Sequence, residues 1–303
     1  MIILRLSDGL GNQLFIYAFA KYLEKKHGHK IKFDVSWFNN RHKIDHDINY
    51  LEKFNLDYEV ANSADMKYIV PMKLFNRDFW PFIIEKIPRL KNTISQITGG
   101  IYESPLNHRY ITSGPFRNLT SEFDLSKNEN YYFCGYWQSH EYANENRNKL
   151  INELIPPARV SKQTSSILNE IGSTNYISVH FRRSDFGNTG NTSFAWFEYA
   201  LNYMKIKYPK HKLAVFSNDI DWVNRNIDLP QSSIFFDHTN HDSAVEDLYA
   251  MTVCNHNIIS ASTFSWWGAF LNDNPQKTVI APRYWGDIDI SNTDKLPKSW
   301  ILM

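Results

Sequence analysis

Cysteine is scarce in this 303-residue chain, which contains only Cys134 and Cys254, far apart and without metal-ligand neighbours. Neither a disulfide framework nor a cysteine zinc site is therefore predicted, and a reducing compartment is expected. An excess of one charge is also lacking, because 33 basic residues face 32 acidic ones and the net charge is +1. This balance gives no indication of a nucleic-acid binder or of a protein held on an anionic membrane.

Long hydrophobic runs are absent as well, and none approaches the roughly 18 apolar residues of a membrane span. The chain begins with an apolar strand in place of the basic and apolar segments of a signal peptide. We therefore expect a cytoplasmic protein, with peripheral contact at the cytoplasmic face of the inner membrane left open. No Gly-x-Ser-x-Gly elbow or Cys/His nucleophile pair is present, so hydrolase chemistry is not favoured.

Hydrophobic periodicity predicts an α/β protein of two domains. An apolar strand at the N-terminus, a Gly-containing turn, a helix that ends at Gly28 and a strand at 31–34 form an opening βαβ unit. Strands and helices alternate again beyond residue 175, which predicts a doubly wound parallel sheet. Ile155-Pro156-Pro157 ends a predicted helix at 141–154. We place the domain boundary there, with domains at 1–155 and 156–303.

The most informative segment is His180-Phe181-Arg182-Arg183-Ser184-Asp185, which directly follows the apolar strand at 176–179. Arginine keeps its charge and offers a planar fork of donors, so two arginines at the carboxyl end of a strand suit a phosphate or pyrophosphate group. In open α/β sheets that edge is where ligands bind. The alternative is an Arg-Asp pair that only holds a loop.

Three further turns carry candidate ligand-binding groups. The first, at 9–13, is a poor dinucleotide fingerprint because Leu14 replaces its third glycine, but its backbone can approach a ligand closely. The second follows the strand at 213–216. The third joins the strand at 257–260 to a helix through small hydroxyl residues, and free N–H groups there would form an anion site. The candidate binding residues in these turns are Gly11, Asn12, Gln13, Ser217, Asp219, Ser262, Thr263 and Phe264.

Other patterns favour structural roles. Asp219 and Asp221 have the D-x-D spacing of a cation site, but the same spacing recurs elsewhere in the chain and is weak alone. Ser243 and Glu246 form a predicted capping box. Trp266 and Trp267 are predicted to be core residues rather than a sugar platform. The loop 238–242 contains two histidines but lacks a partner cluster, so no metal site is predicted there.

Five segments together resemble glycosyltransferase family 11, the α-1,2-fucosyltransferases, in order and spacing over nearly the whole chain. They are the turn at 7–13 with Leu14-Phe15, Gly135-Tyr136-Trp137-Gln138, the His180 to Asp185 run, Phe216 to Asp219, and the block from Glu246 to Gly268. The Ser-Thr-Phe-Ser-Trp-Trp-Gly stretch is the sharpest mark of this family. The chain departs from the family at Asp8, where glycine is more frequent, and at Ser184 and Phe186, where glycine and tyrosine are usual.

The resemblance implies a GT-B fold, in which two Rossmann-like, doubly wound domains face each other across a cleft and GDP is held mainly by the C-terminal domain. It also implies transfer of L-fucose from GDP-fucose without a metal or another cofactor. By position, Arg182 would contact the β-phosphate, with Arg183 as support. His180 and Asp219 would lie near the nucleoside, residues 262–264 would surround the pyrophosphate, and Asn12 would face the fucose or the acceptor.

This family reading predicts an inverting transfer to the 2-hydroxyl of a terminal galactose in an oligosaccharide or glycolipid, such as an O-antigen. Arg182, Asn12 and Asp185 are the candidate catalytic residues, and no nucleic-acid partner is expected. The base that accepts the acceptor proton is left open between Asp185, Asp8 and the Asp45/Asp47 pair. Two other functions also stay open: a metal-dependent glycosyltransferase that uses Asp219 and Asp221 with another nucleotide sugar, and a noncatalytic nucleotide-sugar-binding module.

Overall fold

The computed structural model describes residues 1–39, 48–54, 56–67, 101–104, 108–112, 125, 130–154, 162–183, 192–237 and 243–303. The chain forms two compact units. Unit 1 contains residues 1–50 and 57–146, and unit 2 contains residues 51–56 and 147–303. The chain therefore enters unit 2 between Asn146 and Arg147, slightly before the boundary predicted at residue 155, and Pro156 and Pro157 lie outside the described residues.

Unit 1 is built around a six-stranded sheet and a long buried helix. Its strands are β1 (Ile2–Arg5), β2 (Ile31–Asp34), β3 (Glu59–Val60), β4 (Ile101–Ser104), β5 (His108–Thr112) and β6 (Asn130–Cys134). Its described helices are α1 (Leu10–His27), α2 (Ser63–Lys67) and α3 (His140–Asn144), and short 3-10 helices lie at Ser36–Asn39 and Tyr50–Lys53.

The sheet of unit 1 has the order β3-β2-β1-β6-β5-β4 and is parallel except for the β4–β5 pair. Helix α1 ends as predicted, because Gly28 adopts φ 63° and its N–H bonds to the Glu24 carbonyl. Phe19 of α1 stacks on Trp137 at 4.5 Å between ring centroids. Trp137 also meets the edge of Phe133 on β6, so aromatic packing fixes α1 against the segment that follows β6.

Unit 2 contains the second sheet and its helices. The strands are β7 (Tyr176–Phe181), β8 (Lys212–Ser217), β9 (Ile234–Asp237), β10 (His256–Ile258), β11 (Val279–Ala281) and β14 (Ile301–Leu302), with a separate hairpin of β12 (Tyr284–Trp285) and β13 (Ile288–Asp289). The helices are α4 (Arg147–Glu153), α5 (Lys162–Ser173), α6 (Phe194–Lys207), α7 (Ile220–Asn226), α8 (Ser243–Val253) and α9 (Thr263–Leu271).

The sheet of unit 2 is parallel in every described pairing, with the order β14-β11-β10-β7-β8-β9. Counted along the chain, this is the doubly wound 3-2-1-4-5-6 order of dinucleotide-binding folds. One core cluster, which includes Val179, Phe197 and Val215, packs the sheet against α6. A second, which includes Phe216 and Met251, packs it against α8. The central strands are consequently buried on both faces, as their near-continuous apolar sequences require.

The predicted α/β class is confirmed, and most predicted elements begin and end within two residues of the observed ones. The predicted helix at 141–154 is wrong in one respect, because a turn at Glu145 and Asn146 divides it into α3 and α4. Trp266 and Trp267 are fully buried, which confirms their predicted place in the core. Within the described ranges, no helix is both long and apolar enough to cross a membrane.

Candidate functional site

The candidate site of unit 2 lies where the strand order reverses, between β7 and β10. From β7 the chain runs outward on one side to β8, whereas β10 leads outward on the other side to β11. Ligands of open α/β sheets bind at the carboxyl ends of such a strand pair. Arg182 and Arg183 directly follow β7, and Ser260, Ala261 and Ser262 follow β10. The fold thus brings two segments singled out from the sequence to one edge of the sheet.

A buried hydrogen bond joins these two strand ends. Nδ1 of His180 lies 2.8 Å from Oγ of Ser260, and both side chains are buried. The His180 ring also packs at 5.5 Å from the ring of Phe264, in the first turn of α9. His180 therefore links the carboxyl end of β7 to the segment that follows β10.

Helix α9 presents its N-terminus at the same edge. Ser262 is its N-cap residue but makes no side-chain capping bond, and the first bond of the helix runs from the Trp266 N–H to the Ser262 carbonyl. The N–H groups of Thr263, Phe264 and Ser265 precede that first bond and point out of the helix end, where an anion is favoured.

The body of α9 is firmly held, which fixes the direction of its N-terminus. Trp266 is buried and its indole N–H donates to the Lys295 carbonyl at 2.9 Å. At the other end, Nζ of Lys277 donates to the Ala269 carbonyl at 2.8 Å and to that of Asn272. A cation there complements the helix dipole. Burial, with the nearby charge of Arg147, lowers the pKa of Lys277 to about 8.

The end of β8 is tied to the end of β7 through Ser217. Its buried hydroxyl donates to the Phe181 carbonyl at 2.9 Å and accepts from the Asp219 N–H at 2.9 Å. Oδ1 of Asp219 in turn accepts from the Trp222 N–H at 2.9 Å and caps α7. The described residues contain no group of three or more His, Cys, Asp or Glu side chains arranged to hold a metal ion.

Arg183 is placed by two contacts that the sequence analysis missed. Its N–H donates to Oδ1 of Asn218 at 3.0 Å, and its guanidinium carbon lies 3.7 Å from the ring centroid of Trp222. Its Nε is buried and has no hydrogen-bond partner among the described residues. The only sequence signal for Trp222 was its position in the first turn after the Asp219 cap. The stack holds the Arg183 guanidinium beside the strand end.

In unit 1, the predicted turn is organised by Gln13, which is fully buried. Its Nε2 donates to the carbonyls of Asp8 (2.5 Å) and Ile48 (2.8 Å), and its Oε1 accepts from the Tyr50 N–H at 2.8 Å. The Gln13 side chain thus serves the turn itself in this structure. Gly11 is buried in the first turn of α1.

Asn12 has a different environment from Gln13, because it is only partly buried. Its Oδ1 accepts from Nε2 of Gln138 at 2.9 Å, across the gap between the ends of β1 and β6. Of the candidate bases, Asp8 lies within the described residues, whereas Asp185, Asp45 and Asp47 lie outside them, as do Ser184, Phe186 and the loop 238–242. The predicted role of Asp185 therefore stays a prediction.

Comparison with known proteins places this geometry in context. Residues 1–303 match the family model described as Glycosyl transferase family 11. The O-antigen biosynthesis glycosyltransferase WbnK of Escherichia coli is 25% identical, with 98% of each chain covered. An α-1,2-colitosyltransferase of the same species is 26% identical over 99% of this chain and 98% of its own. A bovine galactoside α-(1,2)-fucosyltransferase 2 is 27% identical over 45% of this chain and 44% of its own.

Among solved structures, the NodZ α-1,6-fucosyltransferase soaked with GDP-fucose superposes with a TM-score of 0.51 at 15% identity, and 89% of this chain and 92% of that chain are covered. This likeness concerns the fold alone. Together with the two predominantly parallel sheets of the α/β units, it identifies the architecture as GT-B.

Proposed function

Because the chain belongs to glycosyltransferase family 11, we propose that it transfers L-fucose from GDP-β-L-fucose to the 2-hydroxyl of a terminal galactose, with inversion and without a metal ion. This proposal is carried by the arrangement at one edge of the sheet in unit 2. Arg182 follows β7 there, the N-terminus of α9 follows β10, and the His180–Ser260 hydrogen bond joins the two strand ends. A nucleoside diphosphate is the ligand that this combination of an arginine and a helix N-terminus suits best.

The chemistry follows from where negative charge develops. As the bond between C1 of fucose and the β-phosphate oxygen breaks, the diphosphate leaves with the electron pair and gains charge. Arg182 and the first N–H groups of α9 stabilise that charge in a preorganised site. The acceptor hydroxyl attacks C1 from the opposite face, so a β-linked donor yields an α-linked product, and a base takes up the hydroxyl proton.

In this proposal Arg183 supports the donor site through its contacts with Trp222 and Asn218 and does not itself bind the diphosphate. Its guanidinium lies against Trp222 and its N–H is bonded to Asn218, so it shapes the loop after β7 and adds positive potential there. Asp219 is a helix cap whose second carboxylate oxygen remains available to a nucleobase edge. Metal independence is supported by the two arginines at the end of β7, because their positive charge can take the place of a metal ion beside the diphosphate. We therefore expect full activity in excess EDTA.

The main test is the Arg182→Ala variant. Removal of one preorganised donor typically lowers kcat by about 10² to 10³-fold, and we expect a loss in this range. The melting temperature measured without GDP should stay at the wild-type value. Arg182→Lys should also be poor, because an ammonium group cannot reproduce the planar fork. Arg283→Ala is the matched control, since its exposed guanidinium forms an ion pair with Asp289. Wild-type turnover by Arg182→Ala would refute the proposed role.

A second donor is favoured by one observation, the similarity over nearly the full chain to an α-1,2-colitosyltransferase. Colitose lacks the 3-hydroxyl of fucose, so the two GDP-sugars would use the same diphosphate site and differ only at the sugar ring. Incubation with each donor and a panel of galactose-terminated acceptors, followed by NMR of the product linkage, decides between them. A larger kcat/KM with GDP-colitose would replace fucose by colitose in the proposal.

A further inference from the structure

A second polar cluster lies within unit 1. It is formed at the carboxyl ends of β1 and β6, which are neighbouring parallel strands. Ligands of open α/β sheets bind outside the carboxyl ends of the strands. The side chains of Asp8 and Asn12 come from the turn after β1, and those of Tyr136 and Gln138 come from the segment after β6. All four are partly buried.

The backbone at Asp8 is unusual for an aspartate. Its φ is 65°, in the left-handed region, and among the described residues only Trp137 shares a positive φ without being glycine. Glycine adopts this conformation without steric cost, whereas a residue with a side chain is strained in it. This chain therefore carries a carboxylate at a position where the backbone alone favours glycine.

The segment after β6 meets Asp8 because Trp137 is anchored. Its ring is buried and stacks on Phe19, so the flanking residues Tyr136 and Gln138 reach the turn after β1. The Tyr136 hydroxyl donates to Oδ2 of Asp8, and Nε2 of Gln138 donates to Oδ1 of Asn12 at 2.9 Å. Two side-chain pairs thus bridge the ends of β1 and β6.

These bonds leave two complementary groups for a ligand. Within the described part of the chain, Oδ1 of Asp8 has no donor and Nδ2 of Asn12 has no acceptor. A carboxylate oxygen accepts only, and an amide nitrogen donates only. A sugar hydroxyl can donate to the first kind of atom and accept from the second.

We infer that Asp8 is an acceptor-specificity residue, whose carboxylate accepts a hydrogen bond from a hydroxyl of the acceptor sugar while Asn12 donates to the same hydroxyl. This inference rests on the proposed function, because it assigns the acceptor side of that reaction to unit 1. Since hydrogen bonds to charged groups are stronger than those between neutral groups, loss of the carboxylate lowers kcat/KM for the acceptor by roughly 10 to 100-fold, which is equivalent to about 1.4 to 2.8 kcal/mol.

The test compares Asp8→Gly, Asp8→Asn and wild type in steady-state kinetics. Asp8→Gly removes the carboxylate and the backbone cost together, so we expect unchanged or raised thermal stability, a 10 to 100-fold loss in kcat/KM for the acceptor, and a donor KM within about twofold of wild type. Asp8→Asn should give a smaller loss, since the amide oxygen still accepts. Asp57→Asn, an exposed carboxylate of unit 1, is the control and should change neither constant.

Deoxygenated acceptors identify the hydroxyl. With analogues that lack the 3-, 4- or 6-hydroxyl of the terminal galactose, one analogue should be used equally well by wild type and Asp8→Gly, because the contacted group is already missing. Wild-type acceptor kinetics for Asp8→Gly would overturn the inference while leaving the proposed function intact. If wild type forms no product, the proposed function fails, and saturation-transfer NMR with lactose then tests the inference directly: equal lactose binding by wild type and Asp8→Gly overturns it.

Discussion

A sharp prediction concerns Gly268, at the contact between α8 and α9. A Cβ atom built on Gly268 would lie 2.7 Å from Cβ and 2.8 Å from Sδ of Met251, well inside van der Waals contact. Met251 can move its sulfur by changing rotamer, but its Cβ is fixed by the backbone of α8. Gly268→Ala therefore requires the two helices to separate by about 0.7 Å, the distance to ordinary contact.

The expected magnitude has two opposing parts. Overpacking of a core contact costs about 1–3 kcal/mol, whereas replacing glycine by alanine within a helix gains up to about 1 kcal/mol. Gly268→Ala should therefore destabilise unit 2 by roughly 1–2 kcal/mol, or lower its melting temperature by about 2–8 °C. Gly172→Ala in α5 is the matched control, because its Cβ would meet nothing within 4 Å. We expect that variant to be neutral or slightly stabilised.

Differential scanning calorimetry of the two alanine variants measures these effects. Adding Met251→Ala to Gly268→Ala removes the contacts at Sδ and Cγ but not the one at Cβ, so a double-mutant cycle should show partial rescue only. Unfolding of Gly268→Ala at or above the wild-type temperature would refute the packing argument. Complete rescue by Met251→Ala would show that the flexible end of the side chain, rather than its Cβ, determines the cost.

Two further predictions concern Trp222 and His256. Loss of the Arg183 stack in Trp222→Leu should raise the KM for the donor about 5-fold, equivalent to 1 kcal/mol, and an unchanged donor KM would contradict this role. Trp196→Leu is the control in steady-state kinetics. The pKa of His256 is lowered to about 4, mainly because the side chain is buried and also because of the nearby charges of His211 and Lys207. The unfolded chain then binds more protons below about pH 6.5, so the free energy of unfolding should fall as pH drops from 6.5 to 4. Urea titrations should show a weaker fall in His256→Asn, and an identical pH dependence would refute it.

Much of the fold was predictable because its signals are local. The apolar period of α1 and the glycine that ends it lie within one segment, as does the change from an apolar strand to charged residues after Phe181. Trp266 and Trp267 are predicted to be core residues because tryptophan is highly buried on average, and both are buried. The break between α3 and α4 was not predicted, because no Gly or Pro marks residues 145 and 146.

The partners within the site were less predictable because they depend on strand order. His180 and Ser260 are 80 residues apart and meet only because β10 lies beside β7 in the sheet. The Arg183–Trp222 stack likewise requires β8 to lie beside β7 and α7 to begin at its end. Residue types at single positions suggested a phosphate site, but they did not say which donors would share it.

The α/β class, the family and the charged strand end at Arg182 and Arg183 can be read from the sequence, since each is a property of a continuous segment or of segments in order. The bonds of the Gln13 side chain to its own turn, and the left-handed conformation of Asp8 beside Tyr136, depend on the tertiary structure. Hydrogen bonds and packing between distant segments depend on which strands are neighbours, and sheet order is a property of the whole chain.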